Sequence, residues 1–363
     1  MTAYWVTIAL VGYLLWMAKL AEPAMSDHPM GTLPTKPLAR VFVLSAALVL
    51  MLVAALRWRV GTDYGQYLKS YDSYKVSFFN DLRTFNEPGV RGIAWLVSKV
   101  ADNPTVFMAV ASLITLGLML FTITRYSIAI PMSYILFIFV GAWHGSFNGV
   151  RQFLAAAIIL AGHRTIIDRK PIRFLLVVGV ASAFHISALA MLPLYLLPNR
   201  RLRPAMLVLL AGISLLLLYS SDTALDVAGL VKGEGAITTD YATNTINPLR
   251  ILVAALPVLL YFTKSQVTER DGEWFYRNII IVNAVVMVAV SFSAYLGRFG
   301  IYTTVFLPLA LPRLIDFPDR QVTALVRGAA LVLFSVYWYV DVSGSSSLNQ
   351  FHFIFDKAIS SGP

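Results

Sequence analysis

An all-α polytopic membrane protein is the fold class this chain predicts, and three observations carry that reading. The 363 residues are 58% hydrophobic and only 13% charged, with a mean hydropathy of +0.71. A water-soluble core cannot hide so much apolar surface. Apolar runs of about 18 residues or more recur along the whole length, enough helix to cross about 30 Å of hydrocarbon. The runs are continuous and do not alternate, which argues against a closed β-barrel. The expectation is a single integral membrane domain over 1–363 with about ten transmembrane helices plus a re-entrant helical hairpin.

Taken in order, the first helix is expected at about 4–20 and the second at about 38–56. Met1 to Tyr4 has no basic stretch and no small-residue cleavage site, so the first run reads as a retained helix rather than a signal peptide. A long polar loop, 57–103, follows, within which Gly89 to Val100 looks amphipathic and suited to the membrane interface. Helices three to five are expected at about 104–124, 129–143 and 148–166. The apolar segment 174–197 is interrupted by His185. Helix six is expected at about 204–220, a polar loop at 221–247, and helices seven to ten at about 248–263, 275–296, 299–315 and 325–341, before a polar then aromatic tail, 342–363.

The net charge of +10 is scattered through loops, as the positive-inside rule expects of an inner-membrane protein, and gives no reason to invoke nucleic acid. There are no cysteines, so disulfide and thiolate chemistry are excluded. Loop 163–173 holds Arg164, Arg169, Lys170 and Arg173 and is therefore expected in the cytoplasm. Counting back puts Arg151 and loop 57–103 outside, although that loop carries seven Lys/Arg, against the rule. If 174–197 crossed once, nine Lys/Arg of the second half would face out and four in; a re-entrant hairpin reverses the count. The hairpin is preferred on that arithmetic, with Phe184-His185-Ile186-Ser187 at its apex, where irregular backbone must be buried or line a cavity. It also puts 222–247 and Arg298 outside.

Four clusters then converge on one face. Arg57-Trp58-Arg59-Val60-Gly61-Thr62-Asp63-Tyr64 offers a phosphate grip and a base within a few residues, or else only a helix exit with snorkelling arginines. Asn148, Arg151 and Gln152 open helix five; a charged side chain at membrane depth costs about 2.5 kcal/mol or more and marks a functional site. A guanidinium fork suits phosphate or carboxylate. Ala155, Ala156 and Ala157 behind it allow close helix packing. His185 can exchange a proton near neutral pH, or serve as a buried hydrogen-bonding group. Gly297-Arg298-Phe299-Gly300 is a tight turn carrying one arginine. The five histidines show no close metal-ligand spacing, so no metal and no other cofactor is expected. Several arginines facing one cavity can stabilise a diphosphate leaving group electrostatically.

At these residues the chain resembles the EpsG family of exopolysaccharide proteins, related to Wzy-type O-antigen polymerases. The resemblance rests on Arg59-x-Gly61-Thr62-Asp63-Tyr64 with Tyr67 and Tyr71, Glu87-Pro88-Gly89, Phe147-Asn148-x-x-Arg151-Gln152-x-x-Ala155, Phe184-His185-Ile186-Ser187-Ala188 and Arg298-Phe299, in order across about 240 residues. It implies a GT-C-like fold and an inverting, metal-independent transfer of a glycan from undecaprenyl diphosphate. The acceptor would be the non-reducing end of another lipid-linked repeat unit at the periplasmic face of the bacterial inner membrane. Arg151, Arg59 and Arg298 would hold the diphosphate, His185 or Asp63 would deprotonate the acceptor, and Asn148, Gln152, Tyr64 and Tyr67 would contact phosphate or sugar. Loops 57–103 and 221–247 would rim the glycan groove. The implied partners are the lipid-linked donor and acceptor oligosaccharides, the bilayer and a chain-length regulator. The competing reading is a flippase for lipid-linked saccharide; it would need an inverted repeat or paired broken helices, and only one interrupted segment is found.

Overall fold

The computed structural model describes residues 1–23, 33–219, 247–263, 272–291, 293 and 296–356. These are overwhelmingly helical, with one isolated antiparallel bridge, Arg57 to Phe353, and no strand among the described residues. The chain is an all-α polytopic membrane protein. Four described helices are each long and apolar enough to cross a membrane: α1 (Thr2–Ala21), α2 (Pro37–Ala55), α5 (Pro104–Tyr126) and Arg320–Ser343. Shorter apolar helices accompany them, among them α6 (Ile130–Phe139), α8 (Val150–Gly162) and α10 (Pro171–Ser182). The expected loop 221–247 lies, but for Asn247, outside the described residues.

Two compact units are present. The first comprises Met1–Tyr195 with Trp338–Pro363. Here the segment expected as a polar loop, 57–103, is mostly helix: α3 (Tyr64–Thr84) and α4 (Pro88–Val100). The reason is periodicity. Tyr64, Tyr67 and Tyr71 on α3 and Val90, Ile93, Ala94 and Val97 on α4 fall three or four residues apart and are buried together against Phe107, Met108 and Ala111 of α5. The amphipathic stretch expected at Gly89–Val100 is α4. Phe85 and Glu87 adopt left-handed backbone (φ 54° and 49°), turning the chain between the two helices. Asn103 starts α5, its side chain accepting the Thr105 amide at 2.8 Å ahead of Pro104.

The segment 174–197 is a helical hairpin. After α10 the chain turns at Ala183–His185 and returns as a 3-10 helix, Ile186–Leu196. Twelve α-helical residues rise about 18 Å and eleven 3-10 residues about 22 Å, so the arms match in length. The far end does come back: Tyr195 stacks on Phe174 at 5.7 Å, and its carbonyl accepts from Arg169 Nη1 at 2.8 Å. α10 also packs closely on α8, where a Cβ on Gly162 would meet Val177 at 2.5 Å and Ala155, Ala156 and Ala157 are buried.

The chain's C-terminal stretch straps the loop after α2. Trp58 and Gly61 amides donate to the His352 and Ser347 carbonyls at 2.7 and 3.0 Å, and the Ile354 amide donates to Leu56 at 2.8 Å. Behind it Tyr4, Trp143, Phe147 and Phe351 pack edge to face.

The second unit, Leu196–Tyr337, holds α11 (Pro204–Tyr219), Pro248–Ala255, Val258–Tyr261, Glu273–Ala289 and Leu307–Leu314. Expected helix seven is split at Pro257, and expected helix nine is a string of short pieces, Leu296–Gly300, Ile301–Thr304 and Leu307–Leu314. Proline removes the amide donor that a continuous ladder needs. A buried network holds the unit. Arg277 donates to Glu273 at 2.9 Å, Arg313 packs 3.9 Å over Tyr276, and Asn278 donates to the Pro198 and Arg200 carbonyls.

The hairpin makes a topological prediction. Single cysteines at Lys170 and Arg200, in a chain that lacks native cysteine, should both react with a membrane-impermeant thiol reagent from the same face of the membrane. Labelling from opposite faces would rule the hairpin out.

Candidate functional site

The first turn of α8 is the hub of the first unit, because each polar side chain there reaches a different segment. Asn148 Oδ1, just before the helix, accepts the Thr62 amide at 2.8 Å and the Thr62 hydroxyl at 3.3 Å. Arg151 Nη1 forms an ion pair with Glu87 Oε2. Gln152 Nε2 lies 3.5 Å from Ser187 Oγ at the start of the 3-10 helix. Helix geometry spreads the consecutive side chains of Arg151 and Gln152 about 100° apart, so they reach different segments, while Asn148 reaches a third from just before the helix.

Glycines allow these segments to close. Gly61 has φ +104°, and a Cβ there would lie 2.4 Å from the Phe147 carbonyl oxygen and 2.9 Å from Asn148 Oδ1. Gly89 lies against the Phe184 ring, where a Cβ would meet ring carbons at 2.9 Å, and its amide donates to Ala183 O at 2.8 Å. Glu87-Pro88-Gly89 is thereby docked on the hairpin apex.

That docking puts Glu87 between the Arg151 guanidinium and the His185 imidazole. His185 Nδ1 lies 3.1 Å from Glu87 Oε1, short but not aligned as a full hydrogen bond, while Arg151 takes the other oxygen. Burial by itself would raise the Glu87 carboxyl. The contact with His185 and the charge of Arg151 outweigh burial and bring it from 4.5 to about 2. It is a carboxylate throughout the physiological range. Arg151 also lies 6.0 Å over the Tyr67 ring and its amide faces the Tyr67 hydroxyl at 3.4 Å. About a third of the Arg151 side chain remains accessible, with its Nε buried.

The other expected site residues are placed as follows. Tyr64 and Tyr67 are core residues, 1% and 5% exposed. Tyr64 packs edge-on to Trp58 at 5.8 Å and under Arg57. Tyrosines buried so deeply back the site and do not present a stacking face to sugar. Asp63 precedes α3 and accepts the Thr62 hydroxyl at 3.1 Å. Arg59 is exposed, in left-handed backbone, beside Trp58 at 5.5 Å, and borders a recess of about 380 Å³ with Gly65, Leu68 and Lys69. Its neighbour Arg57 is the buried one, donating to Ala54 O at 2.5 Å and Ser112 Oγ at 2.7 Å. Arg298 belongs to the second unit, on Leu296–Gly300; Gly300 there lets the turn approach Met287, whose sulfur a Cβ would meet at 2.4 Å. Among the described residues no group of three or more His, Asp or Glu is arranged to hold a metal ion.

Glu87 is the residue sequence reasoning left without a role. The available signal was an acid beside a Pro-Gly turn in an acid-poor chain, a turn that carried the family resemblance. The segments meeting at α8 are among those that the resemblance singled out, and the match to known families agrees: residues 40–354 match the EpsG family. The chain belongs to the EpsG family. Membership makes it a membrane protein of exopolysaccharide production. No curated protein and no solved structure matches the chain.

Two outcomes follow for this EpsG-family site. Because the Glu87 carboxyl is depressed in the folded state, its stabilising contribution is complete above about pH 4.5 and lost as pH falls toward 2. The melting temperature in detergent should drop across that window, and Glu87→Gln should flatten this part of the profile; an unchanged profile would contradict the assigned coupling. Gly61→Ala forces a side chain into left-handed backbone against a carbonyl and should cost about 1–3 kcal/mol or more, read as a lowered melting temperature.

Proposed function

We propose that the protein is a Wzy-type polysaccharide polymerase. It transfers a glycan from undecaprenyl diphosphate to the non-reducing end of a second lipid-linked repeat unit at the periplasmic face of the inner membrane. The observation that carries this reading is the Arg151–Glu87–His185 cluster. It sets a partly accessible cation beside an imidazole, both oriented by one carboxylate. Phosphate recognition asks for the first and hydroxyl activation for the second.

In the proposed reaction the acceptor hydroxyl gives its proton to His185, and its oxygen attacks the anomeric carbon of the donor sugar. The bond from that carbon to the diphosphate oxygen breaks, with inversion. Arg151 carries the growing negative charge on the departing diphosphate, with Arg59 as a further cationic contact. Glu87, held as a carboxylate, positions the His185 ring and favours the imidazolium formed on proton transfer, in the way a buried carboxylate orients a general-base histidine. Asn148 and Gln152 hold the Thr62 and Ser187 segments around α8, and Tyr67 seats Arg151. Asp63 remains the second candidate base. The transfer requires no metal, and a chain-length regulator is an expected partner.

Removing Arg151 (Arg151→Ala) should leave membrane accumulation intact and abolish elongation, so that cells carry single repeats only; normal long-chain polymer would sink the proposal. His185→Ala should lower the polymerisation rate by about 10²–10⁴-fold, the usual worth of a general base, while Asp63→Asn should cost far less. The reverse ranking would transfer the base role to Asp63. Activity should also persist in EDTA, and loss reversed by a divalent cation would overturn the metal-free reaction.

A further inference from the structure

The α3–α4 pair carries a surface that the site does not use. Val76 and Phe79 on α3 and Leu96 and Val100 on α4 are 79%, 58%, 59% and 90% exposed. They form one patch. Val76 and Phe79 are three residues apart, Leu96 and Val100 four, so each pair shares a helix face. Trp95 joins the two strips, stacked on Phe78 at 5.4 Å and edge-on to Phe79 at 5.5 Å. Lys99 lies 5.4 Å over the Trp95 ring. An amphipathic aromatic with a cation above it is the pairing favoured where hydrocarbon meets headgroups.

The depth of the pair follows from what it packs against. Its buried face meets Phe107, Met108 and Ala111, within about 10 Å of the α5 N-terminus at 1.5 Å per residue. α5 has 23 residues, a helix of about 34 Å against roughly 30 Å of hydrocarbon, so its N-terminal end lies at the membrane boundary and the residues that α3 and α4 cover lie within about 10 Å of it. Further along α5, Ile114 and Phe121 are exposed apolar residues as well. Charge fits the same location. Of the seven Lys/Arg in 57–103 that defy the positive-inside rule, Arg57 is buried, Arg91 pairs with Asp81, and Lys75 pairs with Asp72 and Asp102. No ion pair to Arg59, Lys69, Arg83 or Lys99 is found among the described residues; Arg59 borders the recess beside Lys69, and Lys69, Arg83 and Lys99 suit an anionic surface.

We infer that α3 and α4 form an in-plane hairpin embedded in the phospholipid headgroup layer, its exposed apolar face seated on the acyl-chain boundary. Glu87 lies in the turn of this hairpin, and Leu154 of α8 packs into the same core. Lipid contact therefore holds the Arg151–Glu87 pair at the depth where lipid-borne phosphates lie. The surface assignment is independent of the proposed transfer reaction.

The chain has no cysteine, so Leu96→Cys and Val100→Cys can each carry an environment-sensitive fluorophore in an otherwise intact protein. In phosphatidylcholine–phosphatidylglycerol vesicles, doxyl-labelled lipid should quench both labels about as well as a reference label at Phe121→Cys, and aqueous iodide should quench them poorly. Strong iodide quenching would mean the patch faces water. Shielding from both quenchers would mean that protein covers it, a second copy or another partner. Either result overturns the inference, whether or not the protein polymerises glycan.

Discussion

One carboxylate holds the first unit's polar chemistry together. Glu87 accepts Arg151 on one oxygen and approaches His185 with the other. Without it two cationic or protonatable groups would face each other inside a largely apolar unit, where uncompensated charge is costly. With it, a turn, a helix start and a hairpin apex are bound at one point. That Glu87 stays ionised well below neutral pH makes the constraint permanent under physiological conditions, while Arg151 stays partly accessible.

The backbone serves this arrangement by close approach. Gly61 lets the loop after α2 lie on the Phe147 carbonyl, and Gly89 lets the Glu87 turn lie on the Phe184 ring. The carbonyl of Ala183 at the apex is satisfied by the Gly89 amide, so the break in the hairpin leaves less unpaired backbone where water is scarce. A Cβ at either position would meet those neighbours closer than ordinary contact and force the segments to shift. The C-terminal strap over Leu56–Gly61 adds a long-range tie to a loop that would otherwise have little to fix it.

Membership of the EpsG family and the placement of its motifs agree in a physical sense. The motifs of the first unit lie far apart in sequence yet meet at the first turn of α8. Ordinary helix packing would not ask for Asn148 just before an apolar helix and for Arg151 and Gln152 in its first turn. Gripping three separate segments does.

Much of the fold was legible in the sequence. Hydropathy marks α1, α2 and α5, because crossing a membrane needs a local property, an uninterrupted apolar stretch. The interruption at His185, with the Lys/Arg count around it, indicated the hairpin, since charge balance also sums over local composition. Arg151 stood out for the same reason, as an isolated charge among apolar neighbours. The helicity of 57–103 was harder to see because its apolar face is made of tyrosines, which read as polar or as sugar-stacking. Only the tertiary structure decided which polar residue matters to which. Glu87 was one acid among five in that segment, and nothing within its own neighbourhood distinguished it. Its role arises from Arg151, 64 positions away, and His185 further still, brought to it by glycine contacts and helix packing. Pairing of charges depends on distance in space, and distance in space is what a linear sequence does not carry.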